Sequence, residues 1–458
     1  MNKEILRLAI PAIVSNITIP LLGLCDTAIS GHLGSASYIG AVSVGTTMLN
    51  VIFWLFGFLR MGTTGLTAGA YGAGAMRRSL DVLRKSLMVA LITGLAIIIL
   101  QNPLLDALRL LVGGERSVME DASVYFNICI WGVPAQLTVM VVSGWFIGMQ
   151  NTVVPMAIAI GMNILNMVAS ISLTMLSGVG FAGIAIGTLI ANWIGAVVSL
   201  IILRGFIRKQ GMNEDNDSGL CSINCKDKEV LQDTDSIRDR VKWHELFNVN
   251  GALLVRSACL IAVTLTVTAV GARFGATTLA GNAVMMQFFI FYSYFMDGFA
   301  YSGEALAGRY LGARDRQGLN SAVNHLLMWG AGVALLFTII YIPGTEPITS
   351  LLTNQSAVIE QVTGCRLFVI LLPVAGAAAF IFDGIFVGLT RTVAMMLSTF
   401  AGSAVFFVIL FALPLKFDNT LLWIAFESYL LMRGLVLAVV LRHYMRGMKN
   451  LAPDRGIS

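Results

Sequence analysis

Five acidic residues fall inside long apolar stretches of this 458-residue chain: Asp26, Asp297, Glu304, Asp383 and Glu427. Four arginines do the same, Arg60, Arg256, Arg366 and Arg433. A charge at the centre of a bilayer costs roughly 2.5–3.5 kcal/mol on insertion scales, so such residues persist where they pair or where they work. Asp26 sits in Leu21-Leu-Gly-Leu-Cys-Asp-Thr-Ala-Ile-Ser30, with no base on its own stretch beyond the first turns. Ser15, Gly23, Asp26 and Ser30 share a face at helical spacing. A carboxyl among small polar groups in a low-dielectric bundle is a candidate proton carrier. The alternative is a structural hydrogen bond between helices. Amides and hydroxyls serve a carboxyl in either protonation state, and the same half of the chain offers Asn163, Asn166, Ser170, Thr188 and Asn192. Such residues also act as packing glue between membrane helices.

The second half carries a different set. Tyr294, Asp297, Tyr301 and Glu304 recur at i, i+3, i+7 and i+10, one face of a helix. Asp383 opens an Asp-Gly step, and Arg256 supplies a cation. Arg256, Asp297, Tyr301, Glu304 and Asp383 therefore read either as an ion or substrate site or as a charge-paired cytoplasmic gate. Pro11 and Pro20 precede Asp26, and proline removes a backbone bond and kinks a helix. The 22 methionines could line an adaptable cavity or merely fill gaps. No metal site is expected. Cys221 and Cys225 lack the further ligands that structural zinc needs, and the chain has only four His.

These residues must be positioned by membrane helices. Hydrophobic residues make up 57% of the chain and charged residues 12%, against about 25% in a soluble domain. Mean hydropathy is +0.81. That composition excludes a soluble enzyme, a nucleic-acid binder and a disordered chain. Twelve apolar stretches are long enough to span a bilayer: 5–30, 37–66, 82–101, 120–148, 153–176, 181–204, 247–270, 277–308, 320–342, 357–388, 393–414 and 419–441. They are too long and too little alternating for barrel strands. The first is longer than a signal-peptide core and reads as a spanning helix. With the N-terminus in the cytoplasm, twenty-two Lys and Arg fall in inner segments and four in outer ones. The positive-inside rule thus places both termini in the cytoplasm.

Residues 205–245 hold nine acids and seven Lys or Arg, the composition of a solvated cytoplasmic linker. The expected organisation is a six-helix bundle over 1–204, this linker, a second bundle over 246–445 and a cytoplasmic tail over 446–458. The halves are repeats. Gly144-Trp-Phe-Ile-Gly-Met-Gln-Asn-Thr-Val-Val-Pro-Met156 aligns without gaps on Gly384-Ile-Phe-Val-Gly-Leu-Thr-Arg-Thr-Val-Ala-Met-Met396, a shift of 240 residues. The same shift brings Gly72-Ala73 onto Gly312-Ala313. An even number of helices per repeat gives both halves one orientation, related by a pseudo-twofold axis along the membrane normal. Under that shift Asp383 falls on Ser143, Glu304 on Thr64 and Arg256 on Asn16. The repeats share a scaffold and not their charges.

Twelve helices in two six-helix repeats resemble the multidrug and toxic compound extrusion (MATE) family. The run Ile10-Pro-Ala-Ile-Val-Ser-Asn-Ile-Thr-Ile-Pro-Leu-Leu-Gly-Leu-Cys-Asp-Thr-Ala-Ile-Ser-Gly-His-Leu-Gly34 is similar to its DinF (DNA-damage-inducible protein F) branch. So are Arg60-Met-Gly-Thr-Thr-Gly-Leu-Thr-Ala68 and Leu311-Gly-Ala-Arg-Asp315. The resemblance covers nearly the whole chain. It implies a V-shaped antiporter that alternates between inward-open and outward-open states and exports organic, often cationic or amphiphilic, compounds. By motif, Asp26 matches the first-helix aspartate of coupling, Pro11 the kink proline, and Asn166 and Thr188 polar residues of the same pocket. Where many relatives carry an acid four residues after Asn166, this chain has Ser170. Asp383 matches one member of the acid pair of some sodium-coupled relatives, while Arg256 occupies the neighbourhood of the other. A bound cation beside an arginine is repelled, which favours proton over sodium coupling.

The expected function is therefore proton-coupled export across the bacterial inner membrane by a multi-pass, monomeric transporter. Its partners are small organic substrates and the lipid bilayer, not nucleic acid. No cofactor is expected beyond the coupling ion, a proton, with sodium as the alternative. A flippase for lipid-linked sugars shares the broader architecture, but it would favour a more cationic central cavity. No catalytic constellation lies within the apolar stretches, so an enzyme is not expected.

Overall fold

The computed structural model describes every residue except 32–35, 113–115, 177–178, 211–240, 413–416 and 451–458. Among the described residues the chain is helical throughout, with no strand. The first half contains α1 (Asn2–Gly31), α2 (Ala36–Phe56), α3 (Phe58–Gly72), α4 (Met76–Ile99), α5 (Gln101–Val112), α6 (Arg116–Cys129), α7 (Val133–Gly148), α8 (Val153–Ile171) and α9 (Ala182–Lys209). The second contains α10 (Trp243–Arg273), α11 (Ala276–Gly312), α12 (Arg316–Leu352), α13 (Ser356–Gly364), α14 (Arg366–Gly388), α15 (Thr392–Phe411) and α16 (Asn419–Asn450). Twelve helical segments are long and apolar enough to cross a membrane, one for each stretch read from the sequence. Side chains such as Ile92, Ile99, Leu335 and Val439 stand exposed, the pattern of faces that meet lipid.

Several spans are broken where the apolar pattern shows no break. The stretch 37–66 is α2 and α3, interrupted at Gly57, whose N–H turns to the Trp54 carbonyl (3.3 Å). A 3₁₀ turn at Ile130–Gly132 separates α6 from α7, next to Pro134, which has no N–H to give. The stretch 357–388 is α13 and α14, parted at Cys365. Apolar residues suit both sides of such a break, so hydropathy does not register it.

Of the charged 205–245 segment, residues up to Lys209 continue α9, and α10 begins at Trp243. Cys221, Cys225 and most of the segment's charges lie outside the described residues. Its last residues are tied to α4. Asp81 Oδ2 accepts the Val241 N–H (2.8 Å), Lys85 Nζ donates to Asp81 Oδ2 (2.8 Å) and to the Val241 carbonyl, and Arg78 pairs with Glu245 (2.6 Å).

The chain forms two compact units. The N-unit comprises Ile10–Asn250 and Gly308–Arg316; the C-unit comprises Met1–Ala9, Gly251–Ala307 and Gln317–Ser458. The first nine residues thus pack with the second half. Ser302 Oγ donates to the Ile5 carbonyl (3.1 Å) and Trp329 Nε1 to Asn2 Oδ1 (3.2 Å). The core of the N-unit holds Phe126, Ile130, Trp145 and Phe146; that of the C-unit holds Tyr292, Tyr341, Phe386, Phe406 and Trp423.

Backbone geometry repeats at the 240-residue spacing. Gln150 and Thr390 both take positive φ (62° and 54°), as do Gly74 and Arg314 (69° and 55°). A Cβ added at Gly144 would overlap the Arg60 carbonyl, and one at Gly384 would overlap the Ala300 carbonyl. These are the same contact in the two halves, bringing α7 onto α3 and α14 onto α11. Gly144→Ala and Gly384→Ala are each expected to destabilise the protein by about 1–3 kcal/mol, the usual range for forcing bulk into a packed core. Gly161, with open space around it, should tolerate alanine. Thermal unfolding in lipid nanodiscs compares the three.

Candidate functional site

Asp26 lies deep in α1. The residue is 6% exposed, and its Oδ1 is buried with no hydrogen-bond partner. Among the described residues no cation pairs with it. Its electrostatic neighbours are Tyr125 and Cys129 on α6. The Tyr125 hydroxyl shares hydrogen bonds with the side chains of Thr46 on α2 and Thr188 on α9. Gly45 makes room for its ring, since a Cβ there would collide with it. Thr188 accepts a hydrogen bond from Asn166 Nδ2 (3.1 Å) and donates to the Ile184 carbonyl (3.1 Å). Ser170 Oγ donates to Asn166 Oδ1 (3.1 Å). Gly187 lets the α9 backbone approach Ser170, a small-residue contact of the kind that holds membrane helices close. Polar side chains from α2, α6, α8 and α9 thus form one group, whose Tyr125 is an electrostatic neighbour of Asp26.

Asn166, Ser170 and Thr188 are brought together by hydrogen bonds, and Tyr125 lies between Thr188 and the electrostatic range of Asp26. Asn163 bonds elsewhere on α1, donating to Thr18 Oγ1 (2.7 Å). Thr18 stands eight residues before Asp26, about 12 Å along the helix. Asn192 packs its amide against Gly132 at the 3₁₀ break between α6 and α7. Pro11 and Pro20 both lie inside α1. Tyr125 and Thr46 are missing from the sequence reading. Their signal was present: a tyrosine buried in a span needs a partner for its hydroxyl.

In the C-unit, Asp383 Oδ2 accepts hydrogen bonds from Arg256 Nη2 and from Arg433 Nη2 (2.5 Å). The three side chains are 6–9% exposed. Arg433 Nη1 also donates to the Tyr429 hydroxyl (3.4 Å), and its guanidinium lies over the Tyr429 ring. Two guanidiniums and one carboxylate leave the cluster with one net positive charge. Asp297, Tyr301 and Glu304 share a face of α11, with Glu304 buried and each engaged in other interactions. Arg433, fifty residues from Asp383 and not among the cluster residues expected from sequence, joins Arg256 on that carboxylate. An open cavity of about 540 Å³, lined by Glu346, Ser356, Ile359, Glu360, Thr363 and Gly364, holds none of the groups described above.

The MatE family model matches the chain twice, over residues 11–172 and 252–413, one match to each repeat. The chain is 36% identical over 445 residues to DNA damage-inducible protein F of Escherichia coli (strain K12), covering 97% of this chain and 93% of that protein. It is 25% identical over 408 residues to Protein DETOXIFICATION 44, chloroplastic, of Arabidopsis thaliana, covering 85% and 72%. Its fold is similar to that of solved structures of MATE in the straight and the bent conformation. Both give a TM-score of 0.79 at 18% identity, over 98% of this chain and 97% and 96% of theirs.

The Asp383 cluster makes a prediction about stability. Breaking a buried pair by removing one partner costs about 3–5 kcal/mol, because the other charge is left uncompensated. Asp383→Ala strands two guanidiniums and should fall in that range or above. Arg433→Met leaves a neutral Arg256–Asp383 pair and should cost clearly less. Thermal unfolding of both variants in nanodiscs checks the order.

Proposed function

Because the chain belongs to the MatE family, we propose that it is a secondary antiporter of the bacterial inner membrane, with both termini cytoplasmic, that exports organic cationic or amphiphilic compounds in exchange for protons. The observation that carries the reading is Asp26, a buried carboxyl with a bare oxygen and no cation beside it. A carboxylate in that position, without a partner, is expensive in a low-dielectric surrounding. A carboxyl that is buried in one state and meets water in another is a group that binds and releases a proton as the state changes. Substrate enters from the cytoplasm or inner leaflet. Outward opening brings water to Asp26, which takes up a proton and loses its attraction for a cationic substrate. Release of the proton on the inner side resets the cycle. Coupling of this kind requires that each state bind proton and substrate with different affinity, since motion alone transports nothing.

Tyr125, an electrostatic neighbour of Asp26, meets Thr188, which forms one hydrogen-bonded set with Asn166 and Ser170. These groups donate or accept as the protonation state demands, and so hold the carboxyl's surroundings together in both. Sodium coupling is less well supported. Asp383, the acid nearest to that reading, already carries two guanidiniums, and a further cation beside a net positive cluster is repelled.

Two experiments test the proposal in proteoliposomes loaded with ethidium. Asp26→Asn is expected to abolish export driven by an imposed pH gradient, and a sodium gradient should drive nothing in either protein. Full pH-driven export by Asp26→Asn would overturn the mechanism. Tyr125→Phe removes one hydroxyl and no bulk. It should slow export several-fold, in line with the loss of a hydrogen bond worth about 1 kcal/mol, and leave thermal stability close to that of the parent.

A further inference from the structure

The C-unit contains a second carboxyl in the condition of Asp26. Glu427 lies in α16, is 9% exposed, and has Oε1 buried with no hydrogen-bond partner. The other acids of the spans are in a different condition. Asp383 is held by two arginines, and Asp297 and Glu304 are engaged in interactions of their own. Among the described residues, Asp26 in one compact unit and Glu427 in the other are buried carboxyls with no ion pair.

Repeat register gives Glu427 a meaningful place. The 240-residue shift carries it onto Gly187, which lies against Ser170 and beside Thr188 in the N-unit's polar pocket. The same shift carries Cys365 onto Tyr125. The residues that answer to Asn166 and Ser170 are Phe406 and Leu410, so the second half has lost the amide and hydroxyl and gained a carboxyl on the facing helix. A polar stripe leads to it along α16. Asn419, Trp423 and Glu427 follow at i, i+4 and i+8, one face of the helix. Asn282 Nδ2 donates to Asn419 Oδ1 (2.7 Å), Trp423 Nε1 donates to Asn282 Oδ1 (2.8 Å), and Asn419 Nδ2 donates to Cys365 Sγ (3.9 Å). The stripe starts at the end of the span and stops one turn short of Glu427.

The charges around α16 do not neutralise it. α15 carries no titratable side chain. α14 brings Arg366 at its start and Asp383, which is bound by Arg256 and Arg433. α11, in contact through Phe289 and Asn282, brings Tyr292, which donates to the Pro373 carbonyl, and further along Tyr294, Asp297, Tyr301 and Glu304. On α16 itself the nearest are Tyr429 and Arg433. None of these groups hydrogen-bonds or ion-pairs with Glu427.

We propose that Glu427 is a second proton-binding carboxyl, the C-unit's counterpart of Asp26, so that two protons rather than one accompany each turnover. The inference rests on the proton-coupled reading for its role in transport, but not for the protonation itself. Glutamate takes one proton from water to become the neutral acid and returns it, with no other bond changed.

The test uses the full chain in lipid vesicles and two readouts. Infrared difference spectra between acid and alkaline pH report carbonyl stretches of protonated carboxyls without any substrate. Asp26→Asn is expected to retain a titrating carboxylic-acid band. Glu427→Gln should lose that band, and Glu427→Asp should shift it. If Asp26→Asn has no such band, or if Glu427→Gln and Glu427→Asp both leave it unchanged, the inference is overturned. The second readout is the number of protons exchanged per ethidium exported, which should halve from the parent to Glu427→Gln. An unchanged ratio also overturns the proposal. Failure of the proton-coupled reading looks different: Asp26→Asn would then keep its pH-driven export whatever the infrared bands show.

Discussion

A carboxylate inside a lipid-embedded bundle must either keep a cation against it or surrender its charge. That constraint sorts the acids of this protein more sharply than their positions in the chain do. Asp383 keeps its charge, because Arg256 and Arg433 both donate to it. Asp26 and Glu427 have no such partner, and each presents a buried oxygen with nothing bonded to it. The first arrangement is suited to holding helices α10, α14 and α16 together. The second is suited to a proton, which neutralises the group from within and needs no space for a hydrated ion.

The two halves meet this constraint on a shared frame. Gly144 and Gly384 make the same close approach, and Gln150 and Thr390 take the same left-handed backbone conformation. Positive φ is costly for a β-branched residue such as Thr390. Its place in the repeated turn therefore points to a geometry that the surroundings of both halves enforce. What varies between the halves is side-chain chemistry laid over that frame. The N-unit sets Tyr125 and Cys129 in the electrostatic range of Asp26, whereas the C-unit gathers a net positive cluster around Asp383.

Much of this was legible in the sequence, for physical reasons that also mark the limits. Apolar length identifies all twelve spans because lipid tolerates little else. The Gly144 and Gly384 motifs expose the repeat because a close backbone approach admits no other residue. Asp26 is conspicuous because charge is rare in such company, and helical spacing on α8 is enough to pair Asn166 with Ser170. Tyr125 escaped because an apolarity count treats its ring as filler and overlooks its hydroxyl. The Arg433–Asp383 bond escaped because spacing within one helix says nothing about which helices meet. Interruptions such as Gly57 and Cys365 escaped because each side of the break is apolar enough to be read as part of one span.

The chain path of α1 bears on the cycle proposed for the carboxyl. Its first residues pack in the C-unit and the rest in the N-unit, and Pro11 stands two positions past the changeover. Proline has no N–H for the helical ladder, so bending there breaks no hydrogen bond that an ordinary residue would have made. Pro20 repeats the interruption six residues before Asp26. In the proposed cycle, a helix that belongs to two bodies and is already weakened between them can change the surroundings of Asp26 at small cost. In that cycle a carboxyl on this twice-interrupted helix, rather than on the firmly packed α7 or α14, changes its surroundings as the helix bends.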